Sequence, residues 1–121
     1  MDFSPQDRLI NLHAFQRRNV EQKGNYDMLS FTDLKRIDLY INGNIFGNEC
    51  CLWNGEFNSR NYSVTSFQGN KVSILRLLYH NYVDDLDEKD RLKYLCENKK
   101  KCCCLNHFTI DLTNKDSSRT D

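Results

Sequence analysis

The chain has 121 residues, the size of one small domain with a modest hydrophobic core. Its 17 basic and 17 acidic side chains cancel, which excludes a basic field over the whole surface. No apolar run reaches the roughly 18 residues of a membrane span, and the first residues lack the pattern of a secretory signal. We therefore expect an intracellular protein of a reducing compartment, with no membrane partner.

Two helices are predicted in the first third of the chain. Ser4-Pro5 is typical of a helix start, and an apolar stripe continues the first helix to about residue 22. Thr32-Asp33 predicts the cap of a second helix, which Asn42-Gly43-Asn44 ends. The alternation over residues 37–41 also fits a strand, so both alternatives stay open there.

The middle of the chain predicts an antiparallel hairpin or meander followed by a helix. Cys50–Trp53 is a short apolar strand, and Tyr62–Phe67 alternates with period two before a turn at Gly69. Residues 73–82 carry apolar side chains at helical spacing and predict the clearest helix in the sequence. The acidic residues 84–90 lack the spacing of a calcium loop and indicate an exposed linker.

The last third predicts short extended segments around a cysteine cluster. Leu92–Leu95 is expected to be a strand, and residues 108–112 a short helix or an extended segment. The resulting fold class is α+β: a small metal-stabilised domain with an antiparallel hairpin, preceded by N-terminal helices. We expect an N-terminal helical extension over residues 1–30, a metal-binding domain over 31–117, and a flexible tail over 118–121.

A metal site is the first interpretation of the cluster that begins at Cys96. In a chain without an export signal, thiols and an imidazole at this density are typical of zinc sites, which take four sulfur or nitrogen ligands. Cys96, Cys102 and His107 supply three, and Cys50 or Cys51 supplies the fourth. Three disulfides are the alternative, but they require an oxidising compartment.

The order of these motifs resembles the zinc-binding endonucleases of the His-Me finger (HNH) superfamily, particularly the His-Cys box homing type and its viral and phage relatives. The resemblance covers about residues 31–117. The matching segments, in chain order, are Cys50–Gly55, Gly69–Lys71, Arg76–Tyr79, Cys96–Asn98 and Cys102–Phe108. It implies a ββα-type zinc-binding fold.

The resemblance implies one structural zinc ion held by Cys50, Cys96, Cys102 and His107. It favours Cys50 over Cys51 because Cys50 stands three residues before a tryptophan. It favours Cys102 over the two cysteines that follow it because Cys102 stands five residues before the histidine. The roles of the remaining thiols stay open between buried apolar packing and alternate ligation.

The resemblance also implies a degenerate catalytic site. The family places a general-base histidine two residues before the second zinc cysteine, and this chain has Tyr94 there. Unperturbed tyrosine, with a pKa near 10, is a poor base at neutral pH. The family's Mg²⁺-binding asparagine corresponds to Asp116 or Ser117, with Asn114 nearby.

Three functions follow as hypotheses. The first is a catalytically degenerate zinc module that binds DNA or a protein partner. The second is an active DNA endonuclease, which would require Mg²⁺ and a substitute base, either Tyr94 or the displaced histidine His80. The third is a purely structural zinc protein, for example a subunit of a viral assembly, with no nucleic-acid contact. The 14 asparagines are typical of an AT-rich genome, such as that of a protist or a large DNA virus. The expected location is the nucleus or cytoplasm, or else a viral factory or virion. The candidate nucleic-acid-binding residues are Arg60, Lys71, Arg76, Lys99, Lys100 and Lys101.

Overall fold

The computed structural model describes residues 5–17, 20–22, 25–86, 89–98 and 101–110. Lys99, Lys100 and the predicted tail lie outside these ranges. Among the described residues, no helix is long and apolar enough to span a bilayer. The elements in chain order are α1 (Pro5–Ala14), α2 (Phe31–Asp38), β1 (Ile41–Asn42), β2 (Leu52–Trp53), β3 (Glu56–Phe57), β4 (Ser63–Phe67), β5 (Asn70–Ser73), α3 (Ile74–Tyr82), β6 (Leu92–Tyr94), a 3₁₀ turn (Leu105–His107) and β7 (Phe108–Ile110).

Helix α2 begins at a capping box. The Ser30 hydroxyl accepts a hydrogen bond from the backbone N–H of Asp33, and the Asp33 carboxylate accepts one from the Ser30 N–H. The predicted cap at Thr32-Asp33 was therefore two residues too late. The helix also ends earlier than predicted, because Ile41 pairs with Trp53 as the strand β1.

Three small antiparallel sheets follow. Strands β1 and β2 pair, β3–β4–β5 form a meander, and β6 pairs with β7. The β4–β5 turn places Gly69 at φ +83°, a conformation that glycine adopts without steric cost. The helices and antiparallel sheets confirm the predicted α+β class and the predicted hairpin, while the likeness to the His-Me finger fold stays a prediction.

Helix α3 is the centre of the hydrophobic core. Its N-cap Ser73 accepts a hydrogen bond from the Arg76 N–H, so the predicted helix over residues 73–82 begins one residue later, at Ile74. Four of its apolar side chains are at most 1% exposed. They are Ile74, Leu75, Leu77 and Leu78. The core around them includes residues from both ends of the described chain, among them Leu12 and Phe108.

The segment after α1 packs against α3 through buried polar groups. The Arg17 N–H donates to the Asn81 carbonyl at 2.8 Å, which draws the chain out of the helix. The predicted helix to residue 22 was therefore wrong beyond Ala14. The Arg17 guanidinium also pairs with Asp85 at 2.8 Å, so the acidic segment is only partly an exposed linker. Leu86 within it is fully buried.

Gly55 packs directly on the indole of Trp53. A Cβ at position 55 would lie 2.5 Å from the ring atom Cζ2, a distance that requires the buried indole to shift. We therefore expect Gly55→Ala to lower the free energy of unfolding by about 1–3 kcal/mol, the usual cost of overpacking. Urea unfolding followed by the fluorescence of the single tryptophan measures this change.

Gly47 supplies the matched control for this substitution. A Cβ at position 47 would meet its nearest neighbour, the Asn44 carbonyl oxygen, at 3.4 Å, which is an ordinary contact. We expect Gly47→Ala to change stability by less than about 1 kcal/mol. Equal losses at the two positions would contradict the packing argument.

Candidate metal centre and the adjoining cleft

The β6–β7 hairpin brings Cys96 and His107 together. Tyr94, the last residue of β6, pairs with Phe108, the first residue of β7. The Leu95 N–H then donates to the His107 carbonyl oxygen at 2.7 Å and extends the pairing by one step. Cys96 follows immediately, so the two predicted ligands lie at the loop end of one hairpin.

Strand β2 brings Cys50 to the same place. Leu52 forms an isolated antiparallel bridge with Cys102. The Trp53 N–H donates to the Lys101 carbonyl at 2.9 Å, and the Cys103 N–H donates to the Cys51 carbonyl at 2.6 Å. These backbone hydrogen bonds fix the cysteine-rich loop beside the chain entering β2.

The four side chains form a compact donor set. One sulfur or nitrogen atom from each of Cys50, Cys96, Cys102 and His107 lies within 4.8 Å of the others. The Nδ1 atom of His107 is 3.4 Å from the Cys50 sulfur and 3.3 Å from the Cys102 sulfur. Tetrahedral zinc, with bonds of about 2.3 Å to sulfur and about 2.0 Å to nitrogen, would separate these atoms by about 3.6 Å. The cluster therefore has the size and chemistry to hold one metal ion.

The orientation of His107 leaves the correct nitrogen for a metal. Its Nε2 atom lies 2.7 Å from the Asn48 carbonyl oxygen, which can only accept, so Nε2 carries the proton. Nδ1 then presents its lone pair to the thiols. Metal-binding histidines commonly have their second nitrogen fixed by a carbonyl in this way.

The thiols of the cluster differ in acidity. A hydrogen bond with the Asn98 side chain, assisted by hydrogen bonds with Cys102, Cys96 and His107, lowers the pKa of Cys50 to about 7. Burial raises the pKa of Cys102 to about 12. One thiolate thus forms readily, whereas a second at the buried Cys102 is disfavoured unless a cation stabilises its charge.

The other three cysteines belong to the core. Cys51, Cys103 and Cys104 are each at most 1% exposed, and all six cysteines are free thiols. Burial raises the pKa of Cys51 to about 11 and also raises that of Cys103. Cys104 donates to the Gly47 carbonyl oxygen at 3.0 Å. These thiols act as small buried side chains, so the structure does not support a framework of three disulfides.

A cleft next to this centre is lined by several of the predicted nucleic-acid-binding residues. It encloses about 670 Å³ between the β3–β5 sheet, the start of α3 and β6. Arg60, Lys71 and Arg76 line it together with Tyr94. Lys101 is exposed on the cysteine-rich loop outside this lining. Asn114, Asp116 and Ser117 lie outside the described residues, as do Lys99 and Lys100.

Two lining residues, Tyr62 and Arg91, were missed by the sequence analysis. Both stand immediately before a strand: Tyr62 before β4, and Arg91 before β6. The Asn58 side chain fixes the turn ahead of β4, because its Oδ1 accepts the backbone N–H groups of Arg60 at 2.9 Å and Tyr62 at 3.0 Å. The alternation of polar and apolar residues that predicts the strands was visible in the sequence. That the starts of β4 and β6 line one cleft was not visible there.

Two cations of the cleft, Arg76 and Lys71, are held by contacts that differ in kind. Arg76 donates from Nη1 to the Asp90 carbonyl oxygen at 2.6 Å, and its Cζ lies 5.7 Å from the centroid of the Tyr26 ring. Lys71 forms an ion pair with Glu56, so its charge is partly offset. Among the described residues, the lining of the cleft includes four cationic side chains and no carboxylate.

Neither candidate for a substitute catalytic base has the required properties. Burial and the neighbouring Tyr62 raise the pKa of Tyr94, against a smaller lowering by Arg76, so its phenol is neutral at physiological pH. His80 is fully buried. Its Nε2 atom lies 2.6 Å from the Glu21 carbonyl oxygen, and its Nδ1 accepts the Leu86 N–H at 3.2 Å. Both imidazole nitrogens are therefore engaged inside the fold.

Comparison with known proteins identifies a viral relative. The chain is similar to an uncharacterised protein of Acanthamoeba polyphaga mimivirus, with 40% identity over 87 residues. The alignment covers 66% of this chain and 25% of the relative, so the chain spans about a quarter of that protein's length. No family model and no solved structure matches the chain. The relative is consistent with a viral origin.

Proposed function

We propose that this chain is a zinc-stabilised module that binds nucleic acid, DNA in the first instance, without cleaving it. One observation carries the proposal: Arg60, Lys71, Arg76 and Arg91 line a single cleft whose described lining contains no carboxylate. Such a cluster offers charge-assisted hydrogen bonds to phosphate, and arginine in particular matches phosphate geometry. The net charge of zero is compatible with this role because four of the 17 basic side chains line one cleft.

The metal centre supports the cleft through β6. Leu92 and Tyr94 of this strand line the cleft, and Cys96 follows Tyr94 by two residues. A metal ion at Cys96 and His107 would therefore fix the hairpin that forms one side of the cleft. Three thiolates and an imidazole are a ligand set of structural zinc sites, in which every coordination position is filled by protein.

The chemistry of the cleft favours binding over cleavage. Hydrolysis of a phosphodiester requires a group that activates water, and the described lining includes no histidine or carboxylate. The neutral phenol of Tyr94 can donate a hydrogen bond but does not serve as a base at neutral pH. The resemblance to a degenerate HNH endonuclease agrees with this proposal, and it predicts that plasmid DNA stays intact with Mg²⁺ or Mn²⁺.

Binding is tested by fluorescence anisotropy with labelled DNA at several salt concentrations. We expect the affinity to fall steeply between about 50 and 200 mM salt, as phosphate contacts are screened. The double variant Arg60→Ala/Arg91→Ala should weaken binding by about tenfold or more and reduce the salt slope by about two. The control is Lys35→Ala, which removes an exposed cation of α2 outside the cleft.

Three results would contradict the proposal. Absence of salt-dependent binding at micromolar protein would leave the structural zinc protein, with a protein partner, as the better hypothesis. Equal effects of the double variant and the Lys35 control on the affinity would show that the cleft is not the binding site. Nicking of plasmid DNA that depends on Mg²⁺ would replace the binding module with an active nuclease.

A further inference from the structure

The cleft contains aromatic rings as well as cations. Tyr62 and Tyr94 both line it and are both half-buried, Tyr62 immediately before β4 and Tyr94 at the end of β6. Arg76 lines the same cleft as the two rings. Phosphate recognition alone requires the arginines but not the rings, so the rings need a separate explanation.

The size of the cleft limits what can enter it. About 670 Å³ lies within the range of small-molecule pockets, roughly 300–1,000 Å³, and suits one or two nucleotides. In a duplex the bases are stacked on one another, and their faces are inaccessible to side chains in such a pocket. In a single strand the bases can leave the stack and lie against aromatic rings.

We propose that the cleft selects single-stranded nucleic acid, with a base stacked on Tyr62 or Tyr94 and the adjoining phosphates bound by Arg60, Arg76 and Arg91. This inference rests on the proposed nucleic-acid binding and specifies the form of the ligand. The side chains of Val64 and Leu92, which also line the cleft, provide apolar surface beside the rings. The arrangement combines a cationic groove with stacking surfaces, as expected for sequence-tolerant binding of one strand.

The positions of the cations fit a strand that passes over the rings. Arg60 lies in the turn before β4, and Arg91 immediately precedes β6, so each cation is close in sequence to one tyrosine. Arg76 is held near Tyr94 by its hydrogen bond to the Asp90 carbonyl. A base on either ring would therefore have an arginine within reach of its own phosphate.

The form of the ligand is tested with matched probes. A fluorescein-labelled oligothymidylate is titrated as a single strand and after annealing to oligoadenylate, at the same salt concentration. We expect the single strand to bind about tenfold or more tightly than the duplex. Equal or tighter binding of the duplex would overturn this inference but leave the proposed nucleic-acid binding intact, whereas absence of binding to both probes would overturn the proposed function as well.

Ring substitutions test the stacking directly. Tyr62→Leu and Tyr94→Leu are expected to weaken binding of the single strand by roughly fivefold to 150-fold each, the range found for loss of base stacking. Tyr62→Phe and Tyr94→Phe keep the rings and should bind within about threefold of the wild type. A loss with phenylalanine as large as with leucine would assign the effect to the hydroxyl groups and overturn the stacking.

Tyr40→Leu is the matched control for these variants. Tyr40 is 43% exposed and contacts Trp53, with ring centroids 5.6 Å apart, outside the lining of this cleft. We expect its replacement to leave binding unchanged. Near-ultraviolet circular dichroism of every variant checks that the fold is retained, and the phenylalanine variants keep the test decisive if a leucine variant unfolds.

Discussion

Replacing Cys102 by serine is expected to abolish metal binding, whereas replacing the adjacent Cys103 by serine is expected to leave the metal bound. The two thiols form a matched pair because both are at most 3% exposed and both belong to the core. Only the Cys102 sulfur lies in the donor set, 3.3 Å from the Nδ1 atom of His107. Metal content per chain, measured by elemental mass spectrometry after zinc-saturated purification, tests this expectation.

The two variants should also differ in stability. Structural zinc contributes about 10–16 kcal/mol of apparent binding free energy in zinc-finger peptides, comparable to or larger than the total stability of about 5–15 kcal/mol of a typical domain. We therefore expect the Cys102 variant to lose most of its cooperative fold. The Cys103 variant should lose about 1–3 kcal/mol, because a hydroxyl replaces a thiol in a buried site.

A chelator provides an internal control for this pair. It should lower the thermal midpoint of the wild type and of the Cys103 variant but have no further effect on the Cys102 variant, which has no metal to lose. Equal metal content in the two variants, or a wild type whose midpoint is insensitive to chelator, would contradict the proposed centre.

The metal cluster could be predicted from the sequence because its main determinant is local. Cys96, Cys102 and His107 lie within twelve residues, and the hairpin that closes around them needs only short-range pairing. The choice of Cys50 over Cys51 depended on a resemblance at the sequence level. The structure supplies the physical reason, since successive residues of an extended chain face opposite sides, and Cys51 is the one that faces the core.

The pairing of short strands could not be predicted in the same way. Ile41 continues the helical spacing of apolar residues in the preceding helix, yet it pairs with Trp53 across a loop. A two-residue strand has almost no pattern of its own, so its conformation depends on a distant partner. The cleft was only partly foreseen for the same reason: Arg60, Lys71 and Arg76 were candidates by charge, but their meeting with Tyr62 and Arg91 depends on tertiary packing.

The predicted boundary after residue 30 also depends on tertiary contacts. Asn81, which is fully buried in α3, binds the segment before that boundary through both ends of its amide. Its Nδ2 donates to the Asp27 carbonyl at 3.0 Å, and its Oδ1 accepts the Leu29 N–H at 3.0 Å. Leu29 and Leu12 are members of the same core cluster as α3. The contacts thus join the predicted extension to the rest of the described chain, although its independence as a domain stays a question for experiment.

Replacing Asn81 by leucine is expected to lower the free energy of unfolding by about 1–3 kcal/mol. Leucine is similar in size but removes the amide, so the Asp27 carbonyl loses its partner, and each buried polar group left unpaired costs about 1–3 kcal/mol. The Leu29 N–H retains its hydrogen bond to the Gln16 Oε1 atom at 2.9 Å, which limits the loss. Urea unfolding measures the change, and Asn54→Leu, at an exposed asparagine, should stay within about 0.5 kcal/mol of the wild type.

The same variant decides whether residues before the boundary unfold separately. Hydrogen exchange of the Leu29 amide reports on the N-terminal segment, and the fluorescence of Trp53 reports on the remainder of the core. Because Leu12, Leu29 and Trp53 belong to one core cluster, we expect Asn81→Leu to shift both probes by the same free energy. If exchange at Leu29 accelerated while the tryptophan transition stayed at the wild-type urea concentration, the first 30 residues would be an independent extension, and the buried amide would stabilise only their attachment to α3.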